Sequence, residues 1–245
     1  MILPNVRASF GRQEAQWLVR VLSGRVEREE RRWEERLAEH GIDSLLDHPG
    51  TLDAMLRQRG IMAVPPRLFF YVALRSTLLE RGVRGRGLAD YLTALVLHFG
   101  QARRPYRIAD YDDQEYFYLV DVLAELERAR GRRAFLLRAH LGNFALWLSG
   151  LFPDYIAARV RRKGAPGIDY YEAIGQSGYR MAAEDPYARR RALDSLYLDA
   201  AGAFGPLRLA LNRFSDRWLF PRANSPESRL LRQVHDEMLD RWRRD

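Results

Sequence analysis

Residues 133–151 read RAFLLRAHLGNFALWLSGL, and the fold turns on this stretch. Its apolar residues run almost all the way round a helix and show none of the period-two alternation of a half-buried strand. Such a helix belongs at the centre of a protein or inside a membrane. The apolar window Ala134–Phe152 contains Arg138, His140 and Asn143, and a charged group at a bilayer centre costs up to about 3 kcal/mol. Arginines flank both ends, so no orientation signal is present. The stretch therefore reads as a core helix.

Helical periodicity continues on either side. Pro65 and Pro66 open a helix over about 66–81, which is apolar on nearly every side apart from Arg75, Ser76 and Thr77. Proline in a first turn loses no hydrogen bond. Leu88, Tyr91, Leu92, Leu95, Val96 and Phe99 form a further stripe, closed by Gly100. Asp110–Arg130 reads as a helix with an acidic first turn, and Asp154–Arg162 and Tyr170–Ala183 as two more. The last third gives helices through Leu193–Phe204, Leu207–Trp218 and Ser225–Trp242, the second parted from the first by Gly205 and Pro206. Ser225 as N-cap, with Pro226 and Glu227 behind it, is a strong start signal.

Near the N-terminus a short helix is expected at Thr51–Arg59 and one long helix at about 11–40, ending at Gly41. Its apolar positions Leu18, Leu22, Val26, Trp33 and Leu37 make a narrow stripe beside many charges. A helix that buries so little either edges the domain or meets a partner chain. The expected architecture is all-α: a single-domain bundle of about ten helices spanning 1–245, with the helices at 66–81 and 133–151 central. The Gly/Pro loop at 164–167 is the best candidate for a subdomain break, but neither half looks self-contained.

Composition narrows the chemistry. The chain has no cysteine, which removes disulfides, thiolate nucleophiles and iron–sulfur clusters, so any metal would need His and carboxylates. Met1–Phe10 carries Pro4, Asn5 and Arg7 where a signal peptide needs an apolar run, so a cytoplasmic location is expected. The net charge of +8 points to an acidic partner. Yet 39 of the 40 basic residues are arginine, Lys163 being the exception, and they are spread along helix surfaces beside Asp and Glu. Such a distribution fits a solvated charged surface.

No catalytic signature appears. The chain lacks P-loop, Gly-x-Gly-x-x-Gly, Gly-x-Ser-x-Gly and His-Glu-x-x-His patterns, and none of its five histidines has Glu three residues before it. The His235–Asp236 dipeptide lacks further ligands. Asp110, Asp112, Asp113 and Glu115 resemble a magnesium motif only superficially, because no second acidic set faces them and acidic residues suit a helix start. No metal, cofactor or catalytic residue is assigned.

Three binding readings remain. The leading one is a non-enzymatic helical interaction protein that acts through a protein partner or homodimer by way of helix 11–40. The second is a small-molecule pocket or enzyme site on the buried helix. At 100° per residue His140, Asn143 and Trp147 share a face with Leu136, Phe144 and Leu151, and buried polar groups there need partners. The third is nucleic-acid or other polyanion binding through Arg103, Arg104, Tyr106 and Arg107 together with Arg159, Arg161, Arg162 and Lys163, near Tyr155, Tyr170 and Tyr171. Arginine suits phosphates and tyrosine suits base stacking. Asn212, Arg213 and Asp216 read as a helix-surface network.

Overall fold

A computed structural model describes residues 1–58, 64–101 and 103–219. The expected helix at Ser225–Trp242, the end of the one at Thr51–Arg59, and His235 with Asp236 lie outside the described residues. Within them the chain is a helical bundle without strands. In order the helices are α1 (Arg12–Leu22), α2 (Glu27–His40), α3 (Asp43–Leu46), α4 (Thr51–Leu56), α5 (Pro66–Glu80), α6 (Arg86–Phe99) and α7 (Leu119–Arg128). There follow α8 (Gly131–Leu151), α9 (Pro153–Lys163), α10 (Ile168–Glu184), α11 (Pro186–Arg189), α12 (Asp194–Gly202) and α13 (Phe204–Phe214). A π turn at Ser215–Leu219 continues α13.

The stretch at 133–151 is the centre, as its composition demands: α8 buries fifteen of its 21 residues. It runs antiparallel to α10, with Arg138 beside Asp185 and Ala145 beside Gly175. The approach is close enough to require glycine. A Cβ on Gly178 would stand 2.7 Å from the backbone nitrogen of Gly142, and one on Gly142 would meet the Tyr179 ring at 2.5 Å. α5 and α6 pack together, and α13 bridges α5 to α8.

The C-terminal end of α8 is finished by side chains from α13 and its π turn. Asn212 Nδ2 donates to the carbonyls of Ser149 and Gly150, and Ser215 Oγ donates to that of Leu151 at 2.9 Å. These carbonyls have no N–H donor within their own helix. Asn212 and Asp216 are thus buried, which corrects the reading of 212–216 as a surface network. Only Arg213 reaches outward, to Glu80 at 3.7 Å. Beneath them a buried ion pair, Arg208 to Glu172 at 2.6 Å, ties α13 to α10.

Three expected boundaries move. The helix foreseen at 11–40 is two helices. Gly24 and Arg25 take left-handed conformations (φ 61° and 68°), and Ser23 Oγ bonds both the Arg20 carbonyl and the Arg25 N–H, closing α1. Trp33 and Leu37 of α2 pack against the core, Trp33 edge-on to His48 at 4.9 Å. The segment 110–118 is not helical. Its carboxylates answer guanidinium groups: Asp110 pairs with Arg104, Asp112 with Arg133 at 2.7 Å, and Glu115 with Arg107 at 2.9 Å. Tyr116 is buried between them, its hydroxyl accepting from Arg133 at 2.9 Å. Lastly, Gly205 and Pro206 lie inside the first turn of α13, where proline is harmless, and the break falls at Ala203.

Candidate functional site

His140 projects from α8 into a layer of rings. It stacks on Phe144 (5.7 Å, 10°) and is flanked by Phe99 at 6.0 Å and Tyr116 at 6.3 Å. The residue is 3% exposed, and its Nε2 has no hydrogen-bond partner among the described residues. Burial, helped by the positive charges of the Met1 amine and His98, pushes the imidazole pKa down to about 3. The ring is therefore neutral at ordinary pH.

His140 and Asn143 border a cavity of about 10 Å³, with His98, Phe99, Arg107 and Leu136 among its walls. That holds about one water molecule. A second cavity of about 210 Å³, bounded by Arg67, Leu97, Gln101 and the chain from Met1 to Val6, adjoins it across His98.

Asn143 is answered from within the bundle. Its Oδ1 accepts from the hydroxyls of Tyr91 (2.5 Å) and Tyr179 (3.0 Å). Burial raises the pKa of both phenols, keeping them protonated donors. Tyr197 completes the group, stacked on Tyr179 at 5.9 Å, its pKa pushed up to about 12 by burial. Trp147 packs on Phe99, Phe144 and Phe152. The tyrosines escaped sequence reasoning because each sits in an apolar stripe where an aromatic ring needs no explanation. A buried Asn with no local partner was the signal that donors were near.

The basic and aromatic residues fall into two groups. Arg104 and Arg107 are half-buried and spent on Asp110, Asp113 and Glu115, and exposed Arg103 lies 3.6 Å from Glu115. The second group is different. At the outer end of α9 the Arg159 guanidinium lies over two rings, Tyr118 at 5.4 Å and Tyr155 at 5.7 Å. Both rings are 52% exposed. Arg161, Arg162 and Lys163 are exposed and form no ion pair among the described residues. Their charges sit in the last turn of α9, where cations complement the helix dipole.

The two groups are joined through Phe117, exposed and 4.8 Å from the Tyr106 ring. Tyr170 and Tyr171 stand beside α9 on the first turn of α10, at right angles to each other. Phe117 thus packs on Tyr106, and Tyr118, its neighbour in the chain, shares the Arg159 guanidinium with Tyr155. Phe117 and Tyr118 lie inside the stretch 110–130 that reads as one helix with an acidic start, and nothing in its stripe marks them as a site.

Among the described residues no group of three or more His, Asp or Glu could hold a metal ion, and no helix is long and apolar enough to cross a membrane. No protein-family model, curated protein or solved structure matches this chain.

Proposed function

We propose that the protein is a binding protein whose contact surface is the arginine–tyrosine face formed by α9 and the segment leading into α7, and that its ligand is single-stranded nucleic acid. The observation that carries this reading is the Arg159 guanidinium held over the half-exposed rings of Tyr118 and Tyr155, beside three cations with no ion-pair partner among the described residues. Phosphates take the cations, and unpaired bases stack on the rings, each stack contributing about 1–3 kcal/mol. A duplex keeps its bases inside and forfeits that contribution.

Two observations favour this surface over the other candidates. Helix 11–40, the expected site of a protein partner, turns Trp33 and Leu37 inward in its second half. The cavity at His140 and Asn143 has room for about one water. Neither leaves a contact surface of comparable chemistry.

The test is fluorescence anisotropy with a labelled oligo-dT. If Arg159, Arg161, Arg162 and Lys163 each neutralise one phosphate, the salt slope is about −0.7 × 4, or roughly −3. Affinity should then fall about 50-fold between 50 and 200 mM salt. Tyr155→Ala should weaken binding about 5- to 150-fold with the slope unchanged, since a stacked base adds no charge contact. No binding at 50 mM salt, or binding indifferent to salt, overturns the proposal.

A further inference from the structure

The pairing of guanidinium groups with tyrosine rings recurs at the opposite end of α8 and α10. At the end of α11 and just past it, Arg189, Arg190 and Arg191 are all exposed. Arg190 lies 4.4 Å and Arg191 5.8 Å from the Tyr187 ring, which is stacked on Phe135 near the start of α8. One helical turn before Phe135, Arg132 lies over Tyr111 at 5.2 Å, and that ring is 65% exposed. Arg128, which ends α7, and Arg130, just before α8, are exposed as well. None of these arginines is in an ion pair among the described residues. Six cations without an ion-pair partner among the described residues therefore gather here, beside the exposed ring of Tyr111 and the half-buried, core-packed ring of Tyr187, with Arg130 and Arg189 also donating to main-chain carbonyls.

α10 connects the two clusters. Arg159 and Lys163 lie by its first turn, and Arg189–Arg191 lie just past its last. Its 17 residues make the separation about 25 Å at ~1.5 Å per residue. Along its exposed stripe Ala173, Ser177 and Arg180 are small or cationic, with the acids Asp169 and Glu184 only at the two ends.

We infer that Arg189–Arg191 with Tyr187 form a second contact point for the same strand, so that one single-stranded nucleic acid spans both clusters along α10. This rests on the reading of the first face as its binding surface. At ~3.4 Å per stacked nucleotide, 25 Å takes about eight nucleotides. Strands shorter than that engage one cluster. Longer ones engage both, the second contact being made at the high effective concentration of a tethered ligand.

The experiment measures the affinity of the full chain for oligo-dT of 4, 6, 8, 12 and 16 nucleotides at fixed salt, beside the variant Arg189→Ala, Arg190→Ala, Arg191→Ala. These side chains are exposed, and far-UV circular dichroism checks that the variant keeps its helix content. The charge reversal Arg190→Glu serves as a second variant. Affinity should rise at least about 100-fold between the 4-mer and the 12-mer, well beyond the roughly 9-fold that extra registers alone give a single 4-nucleotide site. Both variants should cut the rise to that statistical factor while leaving 4-mer binding within about twofold. A rise no larger than the statistical factor in the unaltered protein, or a larger one that survives both variants, overturns the inference and leaves the first face standing. Absence of binding at every length removes both.

Discussion

His140 gives the protein a built-in sensitivity to acid that can be worked out from one residue. Its pKa is about 3 in the fold and about 6.5 in an unfolded chain. Below pH 6.5 the unfolded chain takes up a proton that the native state refuses, so native stability falls as pH drops through this window. With those two values the loss is about 0.4 kcal/mol at pH 6.5, about 2 at pH 5 and about 4 at pH 3. His140→Leu removes the titrating group. It sacrifices the stack on Phe144 at every pH alike, so the informative quantity is the change with pH rather than the absolute value. Urea unfolding followed at 222 nm, at pH 8 and pH 5, should show wild type losing about 2 kcal/mol more than the variant over that interval. Equal losses would mean that the imidazole becomes protonated in the native state, and the argument from burial would fail.

Three further substitutions probe the bundle. Gly178→Ala drives a methyl group against the Gly142 backbone, where neither helix can yield, and should cost at least about 1–3 kcal/mol in thermal or urea unfolding; a neutral result would mean that the two helices are further apart than described. Asn143→Leu strips the acceptor from Tyr91 and Tyr179 together and should cost about 2–6 kcal/mol, whereas Asn143→Gln should cost less; equal losses would show that shape rather than hydrogen bonding holds the site. Arg208→Leu leaves Glu172 buried without its guanidinium and should cost about 3–5 kcal/mol, with the added change Glu172→Leu recovering most of it in the same unfolding assay.

Helices that carry a full apolar face are legible in the sequence. α5, α6, α8 and α10 follow their stripes, and proline and glycine mark the ends at Pro65–Pro66, Gly100 and Pro153. Segments whose conformation is set by distant partners are not. Residues 110–118 have the composition of a helix start, yet Arg104, Arg107 and Arg133 hold them in an irregular course, and periodicity carries no record of those pairings. Asn143 shows the same division. Its face on α8 is plain from 100° steps, but its donors stand 52 and 36 residues away. The bend at Gly24 and Arg25 was obscured because Glu27–His40 continues in helical register beyond it. Of the arginine–tyrosine face, the α9 residues could be picked out by type, whereas the sorting of cations into neutralised and free required the fold.

The finishing of α8 by Asn212 and Ser215 has a temporal side. Those bonds join positions 62 to 64 residues apart. On a ribosome adding about 5–20 residues per second, the centre of the bundle waits roughly 3–13 s between its own synthesis and the arrival of the groups that complete it. Through the early part of that interval a nearly all-apolar helix stands without α10 to cover it, and until its end without the completed α13. A nascent chain halted after α9 would therefore be a strong client for chaperones, and its release from them should coincide with the emergence of α13.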